Sequence, residues 1–198
     1  VALTVNDVQQ VIAQAVGEAQ ARGLASDIAV VDRVGNVLAV FSMTGAPTET
    51  RFSSVTGDGG NDGDTALQGA MVPNAAAAIA KAITGAYLSS GGNAFTTRTA
   101  SQIIQQHFPP APTTVGLESG PLFGVQFSQL PCSDLSQRFL PSGGVSAFIG
   151  PKRSPLGLSA DPGGLPLYKN GVLVGGVGIM GDGDYGFDTN ILNVDQDD

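Results

Sequence analysis

Apolar positions first recur at helical spacing between residues 4 and 23, where Val8, Val11, Ile12, Ala15, Val16 and Ala19 fall on one face. Thr4 stands three residues before Asp7, the spacing of a capping box, in which each side chain satisfies an amide left open by the first helical turn. Gly23 supplies a left-handed stop. The pattern then changes to nearly continuous apolar runs at residues 28–32 and 37–43, joined by Arg33-Val34-Gly35-Asn36, a turn in which Gly35 or Asn36 accepts a positive φ. Runs without alternation predict strands whose outer face is covered, at least in part, or forms a subunit interface.

Residues 45–72 read as a loop rich in Gly, Asp and Thr. An alanine run then predicts a helix over 74–87, and a shorter helix follows over 99–107, stopped by Pro109 and Pro110. From 109 to 164 no period persists. Leu122, Phe123, Val125, Phe127, Phe139 and Phe148 nevertheless mark this stretch as an ordered excursion pinned by apolar anchors, since a disordered linker has no use for them. The last strong signal is a hairpin: residues 165–168 and 172–180 flank Asn170-Gly171, a pair that tolerates positive φ at both positions. Gly175, Gly176 and Gly178 remove side chains from its second strand, which makes room for a helix or a flat ligand, or accommodates a twist or bulge.

These elements, helices beside two separated hairpins, are those of an α/β (α+β) fold. A chain of 198 residues and 20.0 kDa is enough for one domain. Charged residues are only 13% of it, against about 25% in an ordinary domain, while 28 glycines and 12 prolines promise long irregular loops. The formal charge of −8 argues against a nucleic-acid partner and against charge-driven attachment to an anionic membrane. No apolar stretch reaches the roughly 20 residues of a transmembrane span. Cys132 is the single cysteine, so no intrachain disulfide forms, and a buried thiol is its expected state.

The ordered set Leu3-Thr4, Ile28-Ala29-Val30-Val31-Asp32 with Gly35-Asn36, Lys81-Ala82-Ile83-Thr84-Gly85-Ala86, Gly164-Leu165-Pro166-Leu167 and the hairpin from Asn170 to Ile179 resembles the GlcG/HbpS-like family. This is the haem-degrading or haem-binding domain family, related to the C-terminal domain of PduO-type proteins. The resemblance implies a profilin-like antiparallel sheet flanked by helices, a tendency to form oligomers, and association with haem or another small ligand. It places a ligand cleft between sheet and helices, where Lys81, Thr84, Gly175 and Gly176 are the candidate binding residues. The chain departs from the family in three ways. Residues 46–72 and 109–163 read as Gly/Pro-rich insertions in a single domain spanning 1–198. The first helix has no histidine, and the sequence reaches Asp197-Asp198 just where the family's terminal helix is expected to begin.

His107 is the one imidazole available as an axial haem ligand, although a histidine near a helix C-terminus also serves as an ordinary cap. Met43, Met71 and Met180 offer soft second ligands or plain core filling. Asp182, Asp184 and Asp188, and separately Asp58, Asp62 and Asp64, group hard oxygens as calcium loops do, without completing an EF-hand. Solvent alone also relieves the repulsion within such clusters. No GxSxG elbow or GxxxxGK[ST] loop is present, and a Cys132–His107 nucleophilic pair has no support from spacing. Arg98 with Thr97 and Thr99 is a candidate carboxylate binder, although helix capping accounts for the threonines.

The expected function is therefore a non-catalytic, self-associating protein that binds a small ligand or haem. The alternative is a calcium-stabilised extracellular structural or assembly subunit that joins another protein. A periplasmic or extracellular setting suits both, and a cytoplasmic one stays open.

Overall fold

The computed structural model describes residues 1–53, 69–111, 113, 116–123, 125, 127–128, 154–188, 190 and 192. Helix α1 spans Val5–Arg22, with Thr4 and Asp7 forming the expected capping box and Gly23 in the left-handed region at φ 71°. Strands β1 (Asp27–Asp32) and β2 (Val37–Ser42) form the first hairpin, and β5 (Gly164–Lys169) and β6 (Val172–Met180) the second. Gly35 takes the positive φ of the first turn, while Asn170 and Gly171 both take it in the second.

The two hairpins share one sheet. Its order is β2-β1-β6-β5, and every neighbouring pair is antiparallel. The join is β1 on β6, with Ile28 opposite Ile179 and Val30 opposite Val177. Alternation along β1 then distributes its side chains. Ile28 and Val30 meet Val8, Val11, Ile12 and Val16 of α1. Ala29 and Val31 turn to the other face, toward helix α2 (Asn74–Leu88). Each half-buried aliphatic residue of α1 contributes about 1 kcal/mol of burial, so this helix is held less firmly than α2.

Small residues let α2 lie directly on β6. A Cβ on Gly176 would run into the Ala82 carbonyl, and one on Gly178 into that of Ala78. The strand glycines thus make room for a helix, and α2 fills that space itself.

Four elements differ from the sequence reading. Within the stretch read as a loop, β3 (Glu49–Ser53) and β4 (Met71–Pro73) pair antiparallel, because Thr50 and Phe52 alternate inward between exposed neighbours. The acidic run beginning at Asp182 holds β7 (Asp184–Gly186), which lies parallel to β3 and completes a second sheet of order β4-β3-β7. Tyr185 is what makes it a strand: its buried ring meets Phe52 edge-on, with centroids 5.0 Å apart. Helix α3 spans Thr97–Ile103, capped by the Thr96 hydroxyl, which accepts from the Thr99 amide. His107 thus lies four residues beyond the helix and does not cap it.

Candidate functional site

A cavity of about 310 Å³ lies on the α1 side of the first sheet, between the second half of α1, the start of α3 and the start of β5. Ala15, Ala19, Leu24 and Ile179 give it an apolar floor. Its charged groups are Glu18, Arg22 and Arg98, and Ser26 and Thr96 contribute hydroxyls. The elements explain the placement. Ala15, Glu18, Ala19 and Arg22 lie at i, i+3, i+4 and i+7 on one stripe of α1, and the small alanines leave the space open.

Arg98 is held in place from behind. Its Nη1 donates to Asp188 Oδ2 at 2.9 Å, and that carboxylate is only 4% exposed. Asp188 is fixed in turn by α3 and the turn that follows it: its amide donates to the Ser101 hydroxyl at 2.6 Å, and its carbonyl accepts from the Gln105 side chain. Arg22 lies at the exposed mouth, with Nε 2.8 Å from Glu18 Oε1.

Apart from Arg98, the candidate binding residues picked from the sequence do not line this cavity. Lys81 and Thr84 are fully buried on α2. The Lys81 ammonium lies 2.6 Å from Asp161 and donates to the Ile179 carbonyl at 2.8 Å. Thr84 donates to the Ala80 carbonyl and accepts from the Ser159 amide. Gly186 donates to Asp161 Oδ1, and Tyr185 and Ser128 share a hydroxyl contact at 3.4 Å. This buried polar network fastens the 154–163 segment between α2 and β7. Burial, its largest cause, raises the Tyr185 phenol to about 12. Gly175 is packed against the Val31 carbonyl and Leu3, and Gly176 against α2.

His107 is partly exposed, with Nδ1 3.4 Å from the Leu117 carbonyl, and is not among the cavity's lining residues. Asp182, Asp184 and Asp188 do not converge. Asp182 accepts from the Asp184 amide, Asp184 is exposed on β7, and Asp188 faces Arg98. Among the described residues, no group of three His, Cys, Asp or Glu side chains could hold a metal ion. Asp58, Asp62, Asp64 and Cys132 lie outside the described residues. No helix among the described residues is long and apolar enough to cross a membrane.

Sequence reading singled out Arg98 but missed Arg22 and the cavity. The i, i+4 pair Glu18–Arg22, beside small Ala15 and Ala19, is the signal that was there to be read.

The described residues thus form an α+β fold whose four-stranded antiparallel sheet lies between α1 and α2, with a cavity set beside α1. Residues 3–54, from the start of the chain through β3, match the family described as haem degrading protein HbpS-like, in agreement with the resemblance carried by Leu3-Thr4 and the first hairpin. The fold is similar to that of the PduOC:Heme complex, with a TM-score of 0.50 and 19% identity over 91% of this chain and 83% of that one. Klebsiella pneumoniae protein ORFY aligns with a TM-score of 0.48 and 20% identity over 90% of this chain and 78% of its own. Comparison with curated proteins gave no significant match.

Proposed function

We propose that this chain is a non-catalytic binding domain for a small or haem-like ligand and that it works as an oligomer. The observation that carries the reading is the cavity beside α1, because it is lined by the helix that lies within the HbpS-like segment. Its volume sits at the low end of the roughly 300–1,000 Å³ of small-molecule sites, and it combines an apolar floor with few polar groups, as such sites do.

Haem is supported by the family segment and by the PduOC:Heme likeness, but the cavity itself does not fit it. Haem iron takes an axial His, Cys, Met or Tyr, and none of these lines the cavity. A small ligand is the reading the geometry favours.

Self-association is supported by β2. It is an edge strand without charge or proline, and Val37, Leu38, Val40 and Phe41 are each 42–46% exposed. Natural sheets normally guard such an edge. The profilin-like description rests on the antiparallel sheet with a helix on each face.

Titration with haem, read by the Soret band and by native mass, tests the reading. A saturable red shift with stoichiometric added mass supports a haem-like ligand. Non-saturable association, with no small molecule retained in the native mass, counts against ligand binding altogether.

A further inference from the structure

We infer that the cavity beside α1 takes an uncharged ligand with a compact hydrocarbon body, and that ions of either sign are turned away from it. The inference rests on the ligand-binding reading and names the chemical class of that ligand.

The first argument is that the polar side chains of the lining are already committed. Glu18 lies 2.8 Å from Arg22, and Arg98 lies 2.9 Å from Asp188. Each arginine also makes a further interaction. The Ser26 hydroxyl donates to the Leu24 carbonyl at 3.0 Å. The Thr96 hydroxyl accepts from the Thr99 amide at 3.2 Å and shares a hydrogen bond with the Thr99 hydroxyl. The two ion pairs cancel, so the walls carry no net charge. To reach Arg98 an anion must displace Asp188, which is 4% exposed and would be left as a buried, uncompensated carboxylate. An ion entering here gives up its water and meets no open countercharge, a penalty that a hydrocarbon does not incur.

The second argument is the rest of the lining. Ala15, Ala19, Leu24, Leu165 and Ile179 present hydrocarbon, and Pro162 brings no amide. Water held against them finds few partners, so an apolar body displaces it favourably.

Size is the third argument. An apolar cavity of about 150 Å³ holds a benzene ring. At about 310 Å³ this one has room for a single ring with a short substituent. A tetrapyrrole with two carboxylates is both too large and wrongly charged for it.

The test titrates the purified full chain with toluene, benzoate and benzylammonium at neutral pH, followed by amide chemical shifts. The three probes share one ring and carry no charge, a negative charge and a positive charge. Toluene should bind saturably and shift the amides of Ala15, Ala19 and Ile179, with both ions at least about tenfold weaker. Ala15→Phe fills the cavity from α1 and should weaken toluene by about tenfold or more while the circular dichroism is retained. Should that variant unfold, Ala15→Leu, a smaller intrusion on the same wall, should weaken toluene as well.

Either ion binding as tightly as toluene, toluene failing to saturate, shifts clustered away from the cavity, or unchanged toluene affinity in a folded Ala15 variant would overturn the inference. If haem saturates a site while toluene binds nowhere, the apolar site is wrong and the broader binding reading stands. If neither binds, both fall.

Discussion

Removing the Lys81 ammonium should be among the most damaging single changes in this protein. Lys81 is 0% exposed and Asp161 3% exposed, with 2.6 Å between ammonium and carboxylate. A surface pair at this distance contributes little, but a buried one leaves an uncompensated charge when one partner goes, at a cost of about 3–5 kcal/mol. Lys81→Met keeps the volume and removes only the charge and its hydrogen bonds. With a urea slope of about 2 kcal/mol per molar, the unfolding midpoint should fall by about 2 M.

The double variant Lys81→Met/Asp161→Leu separates charge burial from packing. It removes both ions together and leaves the Gly186 amide without its Asp161 acceptor, a loss of about 1–2 kcal/mol. The double variant should therefore recover more than half of what the single one loses. The assay is equilibrium urea unfolding followed by circular dichroism. A single variant costing less than about 1 kcal/mol, or a double variant no better than the single, would refute the account of this network as a desolvated ion pair.

Three further outcomes follow from the same geometry. Gly178→Ala should cost about 2 kcal/mol or more, because its Cβ would press into the Ala78 carbonyl and the Ala82 amide, while Gly17→Ala, with nothing within 4 Å, should gain about 0.5–1 kcal/mol in thermal unfolding. Tyr185 has a folded pKa of about 12, above its ordinary 10.0, so the stability it contributes is fully present below pH 10 and is lost as pH rises toward 12. Phenolate absorbance should show one tyrosine titrating late, and Tyr185→Phe should abolish that step. Asp7, held well below the usual carboxylate range by the Lys169 ammonium 2.5 Å away and then by Thr4, favours the fold above its ordinary value of 3.8. That contribution disappears as pH falls below this value, and in Asp7→Asn the acid limb of a stability profile should flatten.

What could be read from the chain, and what could not, follows the range of the interactions. The capping box, the left-handed glycine stop and the Asn170-Gly171 turn are local, and each sits where its residues require. The closure of two hairpins into one sheet was legible only through the family resemblance; the cover that the apolar runs call for comes from α1 and α2 at β1 and does not reach β2, which is exposed. The second sheet was not legible. Its strands are only three to five residues long, and their inward positions, Thr50, Phe52 and Tyr185, stand among Gly, Asp and Thr that signal loop.

The site shows the same division more sharply. Lys81 in an alanine-rich helix invites a ligand-binding role, since an isolated cation on an apolar face must be neutralised by something. What neutralises it is Asp161, eighty residues later in the aperiodic stretch, and no spacing rule connects the two. The cavity arises in the same way, from α1, α3 and β5 meeting where small side chains fail to fill the gap. A void is a property of packing and has no sequence signature of its own. Two of its charged residues, Glu18 and Arg22, do stand one helical turn apart beside small neighbours. That makes the pair a place to look for ligand contact once a fold shows what lies opposite.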